Sequence, residues 1–171
     1  GERPFRAFSR GGQDPFGMGR DEYGPDLYVR RVLISRQYKD LLPEYLGFLK
    51  GVVDTEDLPL NISRETLQEN LVIRKISQAL TKQVLNHLEK KATDAPEEYK
   101  EFWQAHNKTF KLGYADFVNR ERFAPLLRFN SSTHDDADGL TSLDDYIARA
   151  KPDQKAIYYL SGSSRAALNL N

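Results

Sequence analysis

From Arg64 to Lys91, apolar residues return at every fourth position: Val72, Ile76, Leu80, Val84 and Leu88, with Leu67, Leu71 and Leu85 beside them. This is the period of an amphipathic helix. At about 1.5 Å of rise per residue, it predicts a continuous helix roughly 40 Å long. Few globular helices reach that length, so the segment reads as a spine linking two parts of the structure. Ser63 is placed to cap its start, and Glu65 in the first turn suits the helix dipole.

Ahead of the spine, LYVRRVLIS (27–35) is a β-branched and aromatic run bounded by turn residues, which predicts a strand. DLLPEYLGFLKG (40–51) predicts a short helix with Pro43 in its first turn and Gly51 in the left-handed position after it. Val52 and Val53 then begin a brief second strand. Strand, helix and strand in that order predict a right-handed crossover in a layered sheet.

Beyond the spine, EEYKEFWQAHNKTFKL predicts a second helix with Tyr99, Phe102, Trp103, His106 and Phe110 on one face. Such a stripe is a packing face first and a base-stacking or sugar-binding surface second. Residues 116–129 predict a third helix that Pro125 kinks or divides. Ser142 followed three residues later by Asp145 is a capping-box variant ahead of a helix. KAIYYLSG (155–162) predicts a strand, and SSRAALNLN starts another helix that looks cut off, as in an excised fragment.

The expected fold class is α/β: a three-layer α/β sandwich subdomain, then a small helical bundle, truncated before a second α/β subdomain. The boundaries fall at 1–63 (with 1–25 partly loop), 64–91 for the connecting helix, 92–150 for the helical subdomain and 151–171 for the incomplete unit.

Composition excludes more than it indicates. Lys+Arg and Asp+Glu both number 25 among 171 residues, so no global charge draws the chain to nucleic acid or an anionic membrane. No cysteine is present, which removes disulfides, thiolate metal sites and a cysteine nucleophile. No apolar run approaches the roughly 18 residues that cross a bilayer, and GERPFRAFSR has no signal-peptide character.

Few residues promise autonomous chemistry. The GMG element near the start lacks the strand, third glycine and helix of a dinucleotide loop. HDDADG (134–139) has alternating acids, but His134 and Asp145 stand where a calcium loop needs an acid and a bidentate glutamate. His87, His106 and His134 have no zinc-ligand spacing. No metal is therefore expected. The acids Asp54, Glu56 and Asp57 sit in a polar stretch and read as solvated charge rather than as catalytic groups.

The remaining candidates are Asn61, Arg64 and Gln68. Arg64 and Gln68 are one helical turn apart, with Asn61 in the loop before them. An arginine near a helix N-terminus is suited to bidentate contact with phosphate oxygens. It is equally suited to an ion pair with Glu56 or Asp57 that locks the loop, and residue chemistry leaves both readings open.

GVVDTEDLPLNISRETLQEN (51–70) resembles the signature segment of the middle domain of the heat shock protein 90 chaperone family. LYVRRVLI, LLPEYLGFLKGVVD, KLG (111–113), LLRFNSS (126–132) and SLDDYIARAKPDQKAIYYLSG (142–162) are similar to further family blocks in the same order. The resemblance covers roughly residues 26–164 and is closest to the bacterial member, with the mitochondrial paralogue next. It implies part of a homodimeric, ATP-dependent chaperone that assists protein folding. ATP with magnesium would be bound by an N-terminal domain of the same chaperone, and dimerisation would use a C-terminal domain, both outside this match.

In that family the arginine of the NISRE block contacts the γ-phosphate, and by position this is Arg64. Asn61 and Gln68 match neighbouring polar residues of the same catalytic loop. Client proteins are the implied partners, and the bacterial cytoplasm the implied compartment, with the mitochondrial matrix as alternative. The fragment itself would hold no cofactor. Segment 5–16 keeps only a remnant of the family's pattern, and Pro125 departs from it. The rival expectation is a stand-alone protein-binding or scaffold module; a hydrolase using the 54–57 acids is a distant third.

Overall fold

In a computed structural model, residues 23–134, 139–162 and 165–168 are described, without the side chains of Arg64, Arg165 and Ala166. Strands β1 (Asp26–Val29) and β2 (Val32–Ser35) form an antiparallel hairpin, and β3 (Val52–Thr55) pairs parallel to β1, giving the order β2-β1-β3. The run 27–35 is thus two strands rather than one. Arg30 and Arg31 take φ of 49° and 67° and reverse the chain. Paired left-handed residues match the twist of a tight hairpin but strain a side chain that is not glycine. Strand β3 supports them: the Arg30 N–H donates to the Thr55 carbonyl (3.1 Å) and the Arg31 N–H to Asp54 Oδ1 (3.2 Å).

The parallel pairing of β1 and β3 is the one that strand–helix–strand order predicts, but the link between them is not an α-helix. It consists of two 3₁₀ turns, Lys39–Leu41 and Glu44–Leu46, separated at Pro43, whose extended ψ of 154° breaks any helical continuation. Gly51 does not take the left-handed conformation expected of it. Gly24 does, at φ 104°, where a Cβ would lie 2.7 Å from the Tyr38 carbonyl oxygen.

The predicted helix from Arg64 to Lys91 is also divided, into α1 (Arg64–Gln68) and α2 (Leu71–Asp94). Between them Asn70 is extended (ψ 126°), and its side chain accepts the Val72 N–H at 2.8 Å. The apolar period runs across this junction without marking it, whereas an asparagine cap does mark it.

Helix α3 (Pro96–Phe110) follows α2 after Ala95. The predicted aromatic stripe is a packing face: Tyr99, Trp103 and Phe110 are buried and Phe102 and His106 half-buried. The Phe48 ring stacks on His106 at 4.6 Å, and Phe110 meets Phe123 at 4.9 Å. Burial pushes the His106 imidazole below its ordinary pKa.

Two apolar clusters result. One joins Leu27 and Val29 of the sheet to Leu41, Leu58, Leu67 and Ile73. The other joins Tyr45, Leu46 and Leu49 to Val84, Leu85, Leu88, the α3 aromatics, Phe123 and Leu126. Leu80 of α2 touches both, so this helix does span the two halves of the core.

Pro125 divides the 116–129 segment into α4 (Arg120–Phe123) and a 3₁₀ turn, Ala124–Leu126. Strands β4 (Phe129–Asn130) and β5 (Leu140–Thr141) pair antiparallel. Helix α5 (Leu143–Arg149) begins with the full capping box of Ser142 and Asp145. Residues 155–162 are not a strand: Tyr158, Tyr159 and Leu160 are exposed, and the Tyr158 N–H donates to the Tyr146 hydroxyl at 3.1 Å. An apolar β-prone run becomes a strand only beside a ladder partner, and the described residues supply none. Helix α6 (Arg165–Leu168) follows. The mixed α/β class is as expected.

Candidate functional site

The loop that carries Asn61 and Arg64 leaves the sheet at Thr55, a buried residue whose Oγ1 accepts the Asp57 N–H at 3.2 Å. Glu56 and Asp57 face solvent. Leu58 then turns inward and is 2% exposed. Residues 59–61 return to the surface in a turn closed by the Ile62 N–H on the Pro59 carbonyl (3.4 Å). The segment therefore touches the core at Leu58, surfaces at Asn61, and is drawn back at Ile62, which packs against the sheet-side cluster.

Ser63 caps α1 as predicted. Its Oγ accepts the Thr66 N–H at 3.3 Å and shares a hydrogen bond with Thr66 Oγ1 at 2.7 Å. Arg64 is the first residue of the helix and Gln68 the last, so the backbone sets the two on one face. Gln68 and Asn61 are exposed. Leu67, on the inner side, is fully buried. The three candidate residues thus sit on one short platform fastened from below by Leu58 and Leu67. The Arg64 side chain, and with it the expected pairing to Glu56 or Asp57, lies outside the described residues.

A shallow, open depression lies at the junction of α1 and α2, lined by Glu65, Thr66, Glu69, Asn70 and Leu71. Two carboxylates on its wall make it a poor seat for phosphate. Among the described residues, no three His, Cys, Asp or Glu side chains come together as a metal site. Asp135 to Asp138 of the HDDADG segment, and the GMG element and remnant strand within 1–22, lie outside the described residues.

Two features escape the sequence reading. Asn70 announces itself only as a possible helix cap inside an uninterrupted apolar period. The other is a polar tie beneath the 111–119 loop, where the Tyr45 hydroxyl donates to Asp116 Oδ2 at 2.7 Å. Asn119 adds its N–H to Oδ1 (3.1 Å) and its Nδ2 to Oδ2 (2.8 Å). Burial opposes ionisation of Asp116, but the bonds from Asn119 and Tyr45 outweigh it and hold the carboxyl below its usual range. Burial and the Asp116 contact push the Tyr45 phenol well up.

A family model described as Hsp90 protein matches residues 18–170. Chaperone protein HtpG of Nitratidesulfovibrio vulgaris (strain Hildenborough) is 69% identical over 160 residues, covering 94% of this chain and 25% of that protein. Chaperone protein HtpG of Oleidesulfovibrio alaskensis is 62% identical over 160 residues, with the same coverage of 94% and 25%. That of Alkalilimnicola ehrlichii is 48% identical over 153 residues, or 88% of this chain and 24% of the relative. The chain spans about a quarter of the length of the curated relatives it matches.

Proposed function

The chain belongs to the Hsp90 protein family, and we propose that it works as the middle-domain portion of an ATP-dependent chaperone, giving Arg64 to an ATPase site held by another domain. The relatives named above are chaperones, and this chain aligns with them over nearly its whole length. The observation that carries the reading is the placement of Arg64 at the start of a capped helix whose underside is anchored by Leu67.

The chemistry asked of Arg64 is modest and specific. Transfer of a γ-phosphoryl group spreads negative charge over its oxygens, and a guanidinium that arrives at that charge lowers the barrier. Arg64 remains protonated at any working pH, so its contribution depends on position alone. The two anchoring leucines hold the backbone that carries it, while Asn61 and Gln68 offer amide groups on the exposed side for docking against the ATP-binding domain. Magnesium ATP belongs to that domain. Client proteins, homodimerisation through a further domain, and a place in the bacterial cytoplasm complete the proposal. No helix among the described residues is long and apolar enough to cross a membrane.

The test adds this chain to the isolated, matching ATP-binding domain and follows phosphate release. Stimulation that Arg64→Ala reduces by about tenfold or more supports the proposal. Absence of stimulation by the unaltered chain, or stimulation indifferent to Arg64→Ala, removes it. The scaffold reading predicts the indifferent result.

A further inference from the structure

The loop between α3 and α4 presents apolar side chains to water in a fixed arrangement. Leu112 is 43% exposed, Tyr114 74%, Phe117 80% and Val118 85%. Isolated exposed apolar residues need no explanation, but here four fall within seven positions. Their backbone is also tightly held. The 3₁₀ turn Lys111–Ala115 leads into bonds from the Asp116 N–H to the Gly113 carbonyl (3.0 Å) and from the Phe117 N–H to the Ala115 carbonyl (3.1 Å). The bonds of Asp116 with Tyr45 and Asn119 tie the loop to the core. Gly113 lies so close beneath Phe123 that a Cβ there would come 2.3 Å from the ring. The loop is thus held with its apolar side chains outward, and much of the ordering cost of a binding surface is met before a partner arrives.

The rim gives the sign of the partner. Lys108, Lys111, Arg120 and Arg122 are all exposed around the loop, Lys111 with its ammonium over the Trp103 ring, against the exposed acids Glu121 and, on the 3₁₀ turn that packs against Lys111–Ala115, Glu44. The acid within the loop, Asp116, is turned inward to Tyr45 and Asn119. In a chain of zero formal net charge, this is a local excess of cations around aromatic and aliphatic side chains. Aromatic anchors inside a charged rim are the usual build of a protein-recognition patch. A second copy of this chain in a twofold contact would set the cationic rim against itself. We propose that the 112–118 loop docks an extended polypeptide segment in which acidic residues alternate with apolar ones, a class of sequence that an unfolded protein exposes. This deepens the client-holding part of the function proposed above and rests on it.

The test uses this chain and a fluorescent synthetic peptide of about a dozen residues alternating Leu or Phe with Asp or Glu, read by fluorescence anisotropy. Phe117→Ser with Val118→Ser is expected to weaken binding by about tenfold or more. Arg120→Gln with Arg122→Gln should weaken it less and flatten its dependence on salt. Circular dichroism and the fluorescence of Trp103 check that each variant is folded, and both pairs alter exposed positions. A peptide with lysine in place of its acids should not bind.

Equal binding by the Phe117/Val118 variant, or by the lysine peptide, overturns the docking surface alone. Failure of the unaltered chain to bind the peptide overturns the docking surface, while binding of other unfolded polypeptides and Arg64-dependent stimulation of hydrolysis stand or fall separately. Loss of a dimer in sedimentation on Phe117→Ser would assign the loop to a second copy, and loss of binding to anionic vesicles would assign it to a membrane. Either outcome overturns the proposal. So does a longer chain containing these residues that no longer takes the peptide, because its own segments would then cover the loop.

Discussion

Truncating Leu67 to alanine tests the link between the packed core and the loop that carries Arg64. Leu67 is 0% exposed and lies among Leu27, Leu41, Leu58 and Ile73. Three carbons leave the core, which forfeits roughly 2–2.5 kcal/mol at about 0.8 kcal/mol per buried methylene. The space left behind is not fully refilled, and this brings the expected loss to about 3–4 kcal/mol. Helix α1 has five residues, too few to persist alone because nucleating a helical turn is unfavourable. Among the described residues it is held by the Ser63 cap and by the packing of Leu67. Urea unfolding followed by Trp103 fluorescence and circular dichroism should show a midpoint lowered by roughly 1.5–2 M, for a slope near 2 kcal/mol/M. Leu67→Met keeps most of the volume and should lose less than about 1.5 kcal/mol. With the platform loosened, the folded alanine variant should also lose most of its Arg64-dependent stimulation of hydrolysis. A stability loss below about 1 kcal/mol would show that Leu67 does not anchor the loop, and full stimulation by a destabilised but folded variant would show that the anchoring is irrelevant to Arg64.

Gly113→Ala places a Cβ 2.3–2.8 Å from three atoms of the buried Phe123 ring. It should cost about 1–3 kcal/mol in urea unfolding, partly recovered by Phe123→Leu in the same chain. Tyr45→Phe removes a donor from the Asp116 carboxylate. The expected loss is roughly 1.5–3 kcal/mol at neutral pH, read as a lower melting temperature. His106 binds its proton less readily folded than unfolded because it is buried. The stability this confers is complete above the ordinary imidazole pKa, near 6.5, and is lost as the pH falls through and below that value. Melting temperatures at about pH 7.5 and 5 should therefore diverge more in the unaltered chain than in His106→Phe; an equal divergence refutes the role of His106.

The parts of the fold legible in the sequence were those where one local rule acted unopposed. The α3 stripe, the Ser63 cap and the box of Ser142 and Asp145 each depend on residues within a turn or two. The misread parts depend on partners distant in the chain. Two arginines reverse the 27–35 run only because Asp54 and Thr55, on a strand formed later, accept their N–H groups. The 155–162 run has strand composition, but composition cannot furnish a ladder partner. At the candidate site, resemblance and helical spacing single out Asn61, Arg64 and Gln68 as candidates. What the sequence did not show was the fastening underneath, since Leu58 reads as an isolated apolar residue in an acidic loop.

The break at Asn70 bears directly on how such a site can act. Had the helix run unbroken from Arg64 to Lys91, the direction of Arg64 would have been fixed by the long spine, and re-aiming it would have meant moving both halves of the core. Instead the α1 ladder ends in a 3₁₀-type bond, the Asn70 N–H on the Leu67 carbonyl at 3.1 Å, and one extended residue separates α1 from α2. The α2 side is secured by the Asn70 cap itself, which accepts the Val72 N–H and closes the first turn. A change at the Asn70 backbone would re-aim α1 at the expense of the Leu67 packing and of the bond from the Asn70 N–H to the Leu67 carbonyl, with α2 and the aromatic cluster left in place. Asn70→Ala, which removes the cap, should cost about 1 kcal/mol. Asn70→Leu would remove the same cap while favouring helix through the junction. If the break serves the delivery of Arg64, Asn70→Leu should reduce stimulation of hydrolysis more than Asn70→Ala at equal stability; equal stimulation by the two would make the break a packing detail without functional weight.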